Sequence, residues 1–228
     1  MTIPIPIVAG IAIAAIFSNK GGSKGSSSKS YRKVPSEFGT KDNPNRDAAK
    51  EFILNASRNL INKYGIMENL DVYLSGVAYL ESRFNPFVSG GNLRNSARGL
   101  FQIRADSAFT DSNGLKKYRN TPDVLFDPRM SFVAAVDYAY RGAKRSYEKG
   151  GSPDWYAIRR WWALPHLIHD YALENERSRS TRESIKRGVT QVGMNPNALN
   201  TKINIKNYPG AIKIGQDLGI LNSKGEIT

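Results

Sequence analysis

The sequence predicts a mainly α domain. Apolar residues recur at three- and four-residue spacings through nearly every segment between residues 43 and 176. Gly and Pro stand at the edges of those segments. Strand-like alternation is sparse, limited at most to a small hairpin near Leu100 to Ile103.

The first seventeen residues read separately. Ile3 to Phe17 is uncharged and almost wholly apolar, with Pro4 and Pro6 restricting its start. As a helix it would span roughly 22 Å, short of the ~30 Å hydrocarbon core. No basic residue precedes it, so it makes a poor secretory signal. Ala and Gly between the Ile residues suit close helix packing. Residues 1–17 are therefore expected to form a short membrane-active or assembly-embedded segment. Lys20, Lys24, Lys29, Arg32 and Lys33 follow, with no acidic residue before Glu37. Were the segment to span a bilayer, that bias would leave the rest on the cytoplasmic side. Residues 18–42, rich in Gly and Ser, read as a flexible basic linker.

In the domain expected over 43–176, Asp47 to Tyr64 carries Phe52, Ile53, Ala56, Leu60, Ile61 and Tyr64 as a helical stripe ended by Gly65. Asn69 to Glu81 supplies the next helix, and Phe87 to Arg98, centred on Gly90-Gly91, is loop. Asp127-Pro128 introduces a helix over Arg129 to Arg145. Pro153 introduces another over Asp154 to Ala163, and Pro165 breaks into a last one reaching about Asn175. Residues 177–228 form a basic extension with a short helix expected over Gly210 to Leu218. It is expected to pack on the domain or to mediate assembly.

Composition narrows the chemistry. Without Cys there is no disulfide, thiolate nucleophile or cysteine metal site. His166 and His169 lie three apart, but only Asp170 or Glu174 stands nearby as a further ligand, so no metal and no cofactor are expected. No Gly-x-Ser-x-Gly elbow supports a serine hydrolase. The net charge of +13 points to a polyanionic partner: nucleic acid, anionic lipid or a cell-wall polymer. Nucleic-acid contact has no motif to support it.

Glu81 is the candidate catalytic residue. It ends an apolar helix and is followed at once by Phe84 and Pro86, a setting where core meets cleft and a carboxyl can serve as proton donor. The plainer alternative is a surface helix cap.

Glu81-Ser82-x-Phe84-Asn85-Pro86, followed by Ala97-Arg98-Gly99-Leu100-Phe101-Gln102-Ile103, resembles the soluble lytic transglycosylase domain of the goose-type-lysozyme-like superfamily. That family shows Glu-Ser-x-Phe-x-Pro and then Gly-Leu-Met-Gln, so Phe101 stands at its Met position. Asp127-Pro128 through Tyr138 resembles the third family element, with Ser131 and Ala135 in place of Asn and Gly. Ala157 to Ala163 replaces an Ala-x-Tyr-Asn-Ala-Gly element and lacks its Asn. His169-Asp170-Tyr171 resembles the final family helix. The resemblance covers about residues 45 to 175.

It implies a lysozyme-like fold and cleavage of the β-1,4 bond between N-acetylmuramic acid and N-acetylglucosamine in peptidoglycan strands, closing a 1,6-anhydro ring. One carboxyl, Glu81, acts as acid and then base. The resemblance further implies that Gln102 positions the N-acetyl group or sugar, that Ser82 bonds near Glu81, and that Phe101 lines the groove. Tyr138 and Tyr171 would hold the carboxyl, against a plainer role in the core. Trp155, Trp161 and Trp162 divide between core anchors and a sugar-stacking face. Arg159 and Arg160 are placed to meet the carboxylates of peptide stems. Asp106 or Asp111 as a second carboxylate would instead make an inverting muramidase, and a decayed site would leave a wall-binding or structural virion module.

An export signal is not evident, so the expected carrier is a bacteriophage virion that delivers the enzyme to the host envelope. Residues 1–17 and the extension would contact virion proteins, a second copy or the bacterial membrane. An inner-membrane enzyme with a periplasmic domain, serving a secretion or conjugation apparatus, is the alternative.

Overall fold

In the computed structural model, which describes residues 34–93, 95–163 and 176–228, seven α-helices carry the fold, as the sequence predicts. The chain divides between Ser30 and Tyr31. The apolar segment 1–17 lies outside the described residues, as do the helix expected from Pro165 to about Asn175 and its Tyr171. No helix among the described residues is long and apolar enough to cross a membrane.

The linker expected to reach residue 42 ends earlier. Phe38, in a 3-10 turn over Ser36–Phe38, is buried with its ring edge-on to Phe52 at 5.8 Å. One aromatic residue is enough apolar surface to hold that strand of backbone down. Helix α1 (Arg46–Tyr64) then starts at Asn45, whose side chain accepts the Ala48 N–H, and stops at Gly65, whose N–H returns to the Ile61 carbonyl. The expected stripe faces inward, with Ile53, Ala56 and Leu60 buried.

Helix α2 (Leu70–Ser82) lies at the centre. Residues Tyr73 to Ala78 are all buried, so this helix has no solvent face over more than one turn. It packs on α1 and on α6 (Glu176–Gln191). The α2–α6 contact is closest where two glycines meet. A Cβ on Gly76 would stand 2.6 Å from Val189 Cγ2, and one on Gly188 would stand 2.8 Å from the Gly76 carbonyl oxygen. Helix α3 (Ala105–Ala108) is a single turn. Helix α4 (Pro128–Glu148) begins at Asp127, which caps the Arg129 N–H and takes a forked ion pair from the same residue. Helix α5 (Trp155–Ala163) packs between α4 and α6, and α7 (Ala211–Asp217) packs on α4.

Residues beyond 176 are part of this core rather than an appendage to it. Ile185, Val189, Leu199, Ile203, Ile214 and Leu221 are buried in the same apolar cluster as α2 and α4. Polar ties reinforce them: the Met67 N–H donates to Asn204, the Ile203 N–H donates to Pro153, and Asn69 Nδ2 donates to Thr201. On α4, the buried Asp137 accepts from Asn113, Arg141 and Tyr208 together. The polar, basic look of residues 177–187 hid this because only one side of α6 is apolar.

Asp217 clamps α7 to α1. It accepts Tyr64 Oη, Lys213 Nζ and, at 2.8 Å, Lys63 Nζ. Burial pushes its carboxyl up, but the hydrogen bonds from Lys213, Lys63 and Tyr64 outweigh that and hold it well below the usual carboxylate range.

Two outcomes are expected. Gly188→Val should lower stability by about 2 kcal/mol, because its methyls would press on the α2 backbone; a denaturant melt that left the midpoint in place would show that the helices can part at no cost. Folded Asp217 binds its proton less readily than the unfolded chain does. Its contribution is therefore complete above about pH 4 and drains as pH falls below that. Asp217→Asn should flatten the dependence of the urea midpoint on pH between about pH 5 and pH 2.

Candidate active site

Glu81 sits in the last turn of α2, with its side chain 26% exposed. The helix ends there because Arg83 and Phe84 both take left-handed backbone, with φ of 53° and 60°. Two such residues in a row are strained for side chains larger than Gly, and strain of this kind persists only when the surroundings impose it. Here the Phe84 ring is buried, and Arg83 lies over the Tyr79 ring at 4.0 Å.

Facing Glu81 is a tight turn built from the second motif. The Gly99 N–H donates to Val88, and isolated bridges pair Ser89 with Arg98 and Arg98 with Ile103. These bridges stand where the sequence suggests at most a small hairpin. Gly99 has φ of 76°, and a Cβ on it would fall 1.9 Å from the Leu125 carbonyl oxygen, so only glycine fits. Gln102 is itself left-handed, with φ of 48°. Its amide nitrogen donates to the Val88 and Gly99 carbonyls at 3.0 and 2.9 Å. The donor end of Gln102 is thus spent on the turn, leaving the amide oxygen as its group for a ligand.

Ser82 and Phe101 are placed differently from expectation. Ser82 is buried, and its hydroxyl is shared between the carbonyls of Ala78 and Leu100, at 3.0 and 2.9 Å. It fastens the end of α2 to the turn beside Glu81. Phe101 is wholly buried and packs near Trp162, with ring centres 6.3 Å apart. Its bulk belongs to the core, not the groove wall, because burying the whole ring is worth more than half-exposing it.

Behind Glu81 is an aromatic wall. Trp155 is fully buried, stacked on Tyr73 at 4.5 Å, and its indole N–H donates to the Glu68 carbonyl. Trp162 stands edge-on to Tyr73 and Tyr138, while Trp161 lies 4.0 Å from Tyr138. Tyr138 is buried, and that burial pushes its hydroxyl up, against the opposing effect of Arg141 and with a smaller push from Asp106. Tyr73 is completely enclosed, and burial pushes its hydroxyl far up while Arg159, Glu81 and Tyr138 act on it electrostatically. Both tyrosines stay neutral and can only share hydrogen bonds. The second carboxylates considered from sequence are engaged locally, Asp106 with Arg104 at 2.6 Å and Asp111 with Lys116 at 2.9 Å.

The sequence reading gave Arg159 a different role and missed Tyr73. Arg159, from α5, donates from Nη1 to Glu81 Oε1 at 2.8 Å, with side-chain exposure of only 10%. Tyr73 stands two helical turns before Glu81. Positions 73, 77 and 81 follow a spacing of four, so a tyrosine on the Glu81 face was there to be found. A separate groove of about 870 Å³, lined by Asp137, Arg141, Trp161 and Tyr208 among others, lies away from Glu81.

A model of the transglycosylase SLT domain family matches residues 56–162, a span that takes in α2, the glycine turn, α4 and nearly all of α5. No curated protein and no solved structure matches the chain.

Ser82→Ala should leave the buried Leu100 carbonyl short of a donor and cost about 1–3 kcal/mol. Equilibrium unfolding would register it, and an unchanged midpoint would mean that the turn does not depend on the serine.

Proposed function

Residues 56–162 belong to the transglycosylase SLT family, which makes this enzyme a peptidoglycan lytic transglycosylase, and we propose that Glu81 is its single acid and base. The observation that carries the reading is the placement of Glu81: part-exposed, at the seam between α2 and the glycine turn, in front of a buried aromatic wall.

The proposed chemistry needs one carboxyl. Protonated Glu81 gives its proton to the glycosidic oxygen between N-acetylmuramic acid and N-acetylglucosamine, and the C1–O bond breaks. The substrate's N-acetyl group stabilises the positive charge at C1. The C6 hydroxyl oxygen then bonds to C1 as Glu81, now ionised, takes the hydroxyl proton. A 1,6-anhydro end results and no water is consumed, which fits the local engagement of Asp106 and Asp111. Gln102 would offer its amide oxygen to the sugar, and Tyr138 would support the wall.

The carrier we propose is a bacteriophage particle, with the enzyme acting at the host envelope during entry. Its support is the charge arrangement: an uncharged apolar stretch followed by five basic residues between Lys20 and Lys33, on a chain of net charge +13. Detecting the protein in purified virions tests this, and finding it only as a processed periplasmic enzyme would overturn it.

Mass spectrometry of digested peptidoglycan tests the chemistry. Anhydro ends are expected from the wild type, with Glu81→Gln reducing their release by about a hundredfold or more while the fold is kept. Reducing ends in their place would make the enzyme a hydrolase, and release of neither would leave a binding module.

A further inference from the structure

We infer that Arg159 is a positioning residue for the reaction, holding Glu81 by Oε1 so that the proton is given and retrieved at Oε2. The inference rests on Glu81 being the acid and base. Two polar groups from different helices meet at 2.8 Å in a part-exposed site.

The guanidinium is fixed from behind. Helix α5 is capped by Asp154, which accepts the Ala157 N–H at 2.8 Å, and is pinned by the fully buried Trp155. Arg159 is 8% exposed, and its Nε has no partner among the described residues. A buried guanidinium with a donor left over is costly unless the charge serves something, because an unmet donor forfeits its hydration. Its Nη1 meets Glu81 Oε1, and among the described residues no hydrogen bond reaches Oε2. A carboxyl that accepts at Oε1 favours its proton on Oε2, where the proton does not meet the guanidinium donor.

The charge acts on the same step. When Glu81 gives up its proton, the new carboxylate forms beside a cation already in place, so negative charge develops where it is stabilised without rearrangement. Charge is balanced throughout: the acid and the guanidinium become an ion pair as the sugar becomes cationic, and the C6 proton restores the acid. Among the described residues, the other titratable groups at this seam are Tyr73 on α2 and Tyr138 on α4, with Arg141 beside Tyr138 and the Arg104-paired Asp106 beyond it. Neither tyrosine ionises near neutral pH.

The test uses full-length enzyme turning over glycan strands, with wild type, Glu81→Gln, Arg159→Met and Arg159→Lys compared. Arg159→Met should lower kcat by about tenfold or more with KM nearly unchanged. Arg159→Lys should recover part but not all of that kcat, since it keeps the charge but a point charge cannot reproduce the guanidinium fork. A raised KM with unchanged kcat would overturn the inference in favour of a contact to peptide-stem carboxylates. So would an Arg159→Lys variant as impaired in kcat as Arg159→Met. Should Arg159→Met not fold, Arg159→Lys decides alone, and wild-type kcat in that variant counts against the inference. If Glu81→Gln stays active, it is the assignment of Glu81 that fails, a result separable from any Arg159 outcome.

Discussion

Helix α2 is surrounded by other elements over its middle turn, and a helix can be enclosed in this way only if its neighbours come close enough to leave no gap. Gly76 and Gly188 permit that on the α6 side, where a methyl group on Gly188 would meet the Gly76 backbone and one on Gly76 would meet the Val189 side chain. The candidate site hangs from the end of α2: Glu81 projects from its last turn, Ser82 ties it to the facing turn, and Tyr73 lies beneath. A rigid, enclosed helix presenting one acid at its exposed end is a sound platform for chemistry that tolerates little displacement.

The family motifs divide unevenly between architecture and chemistry. Of Glu-Ser-x-Phe and Gly-Leu-Phe-Gln, the Ser, Phe, Gly and Leu members are buried or conformationally required, and half of the Gln side chain is spent on its own turn. Glu81 alone combines solvent access with a titratable group at the seam. The strictness of such a motif therefore records mostly how one turn is built, with a single part-exposed acid riding on it. Arg159 departs from the family pattern, yet it is the residue that meets Glu81.

The helical elements were legible because burial imposes a period on the chain. The stripe on α1, the Asp127-Pro128 start of α4 and the Pro153 lead into α5 all stand where the spacing and capping chemistry put them. The site was partly legible: Glu81 and the glycine turn follow from their motifs, but the burial of Ser82 and Phe101 does not, because a motif fixes identity and order, not which way a side chain is consumed. Residues 177–228 were the least legible. Their anchors, such as Val189 and Leu199, are scattered among charges, and they acquire meaning only against the surface of α2 and α4.

By itself the sequence determined the helical class, the family and the one acid worth suspecting, since each follows from local spacing or a contiguous motif. Tertiary structure alone decided that Arg159, 78 positions away, holds that acid, that Tyr73 lies beneath it, and that the chain's last fifty residues close the core. Those relations join segments far apart in the chain, and no local pattern encodes a distance that arises only when helices pack.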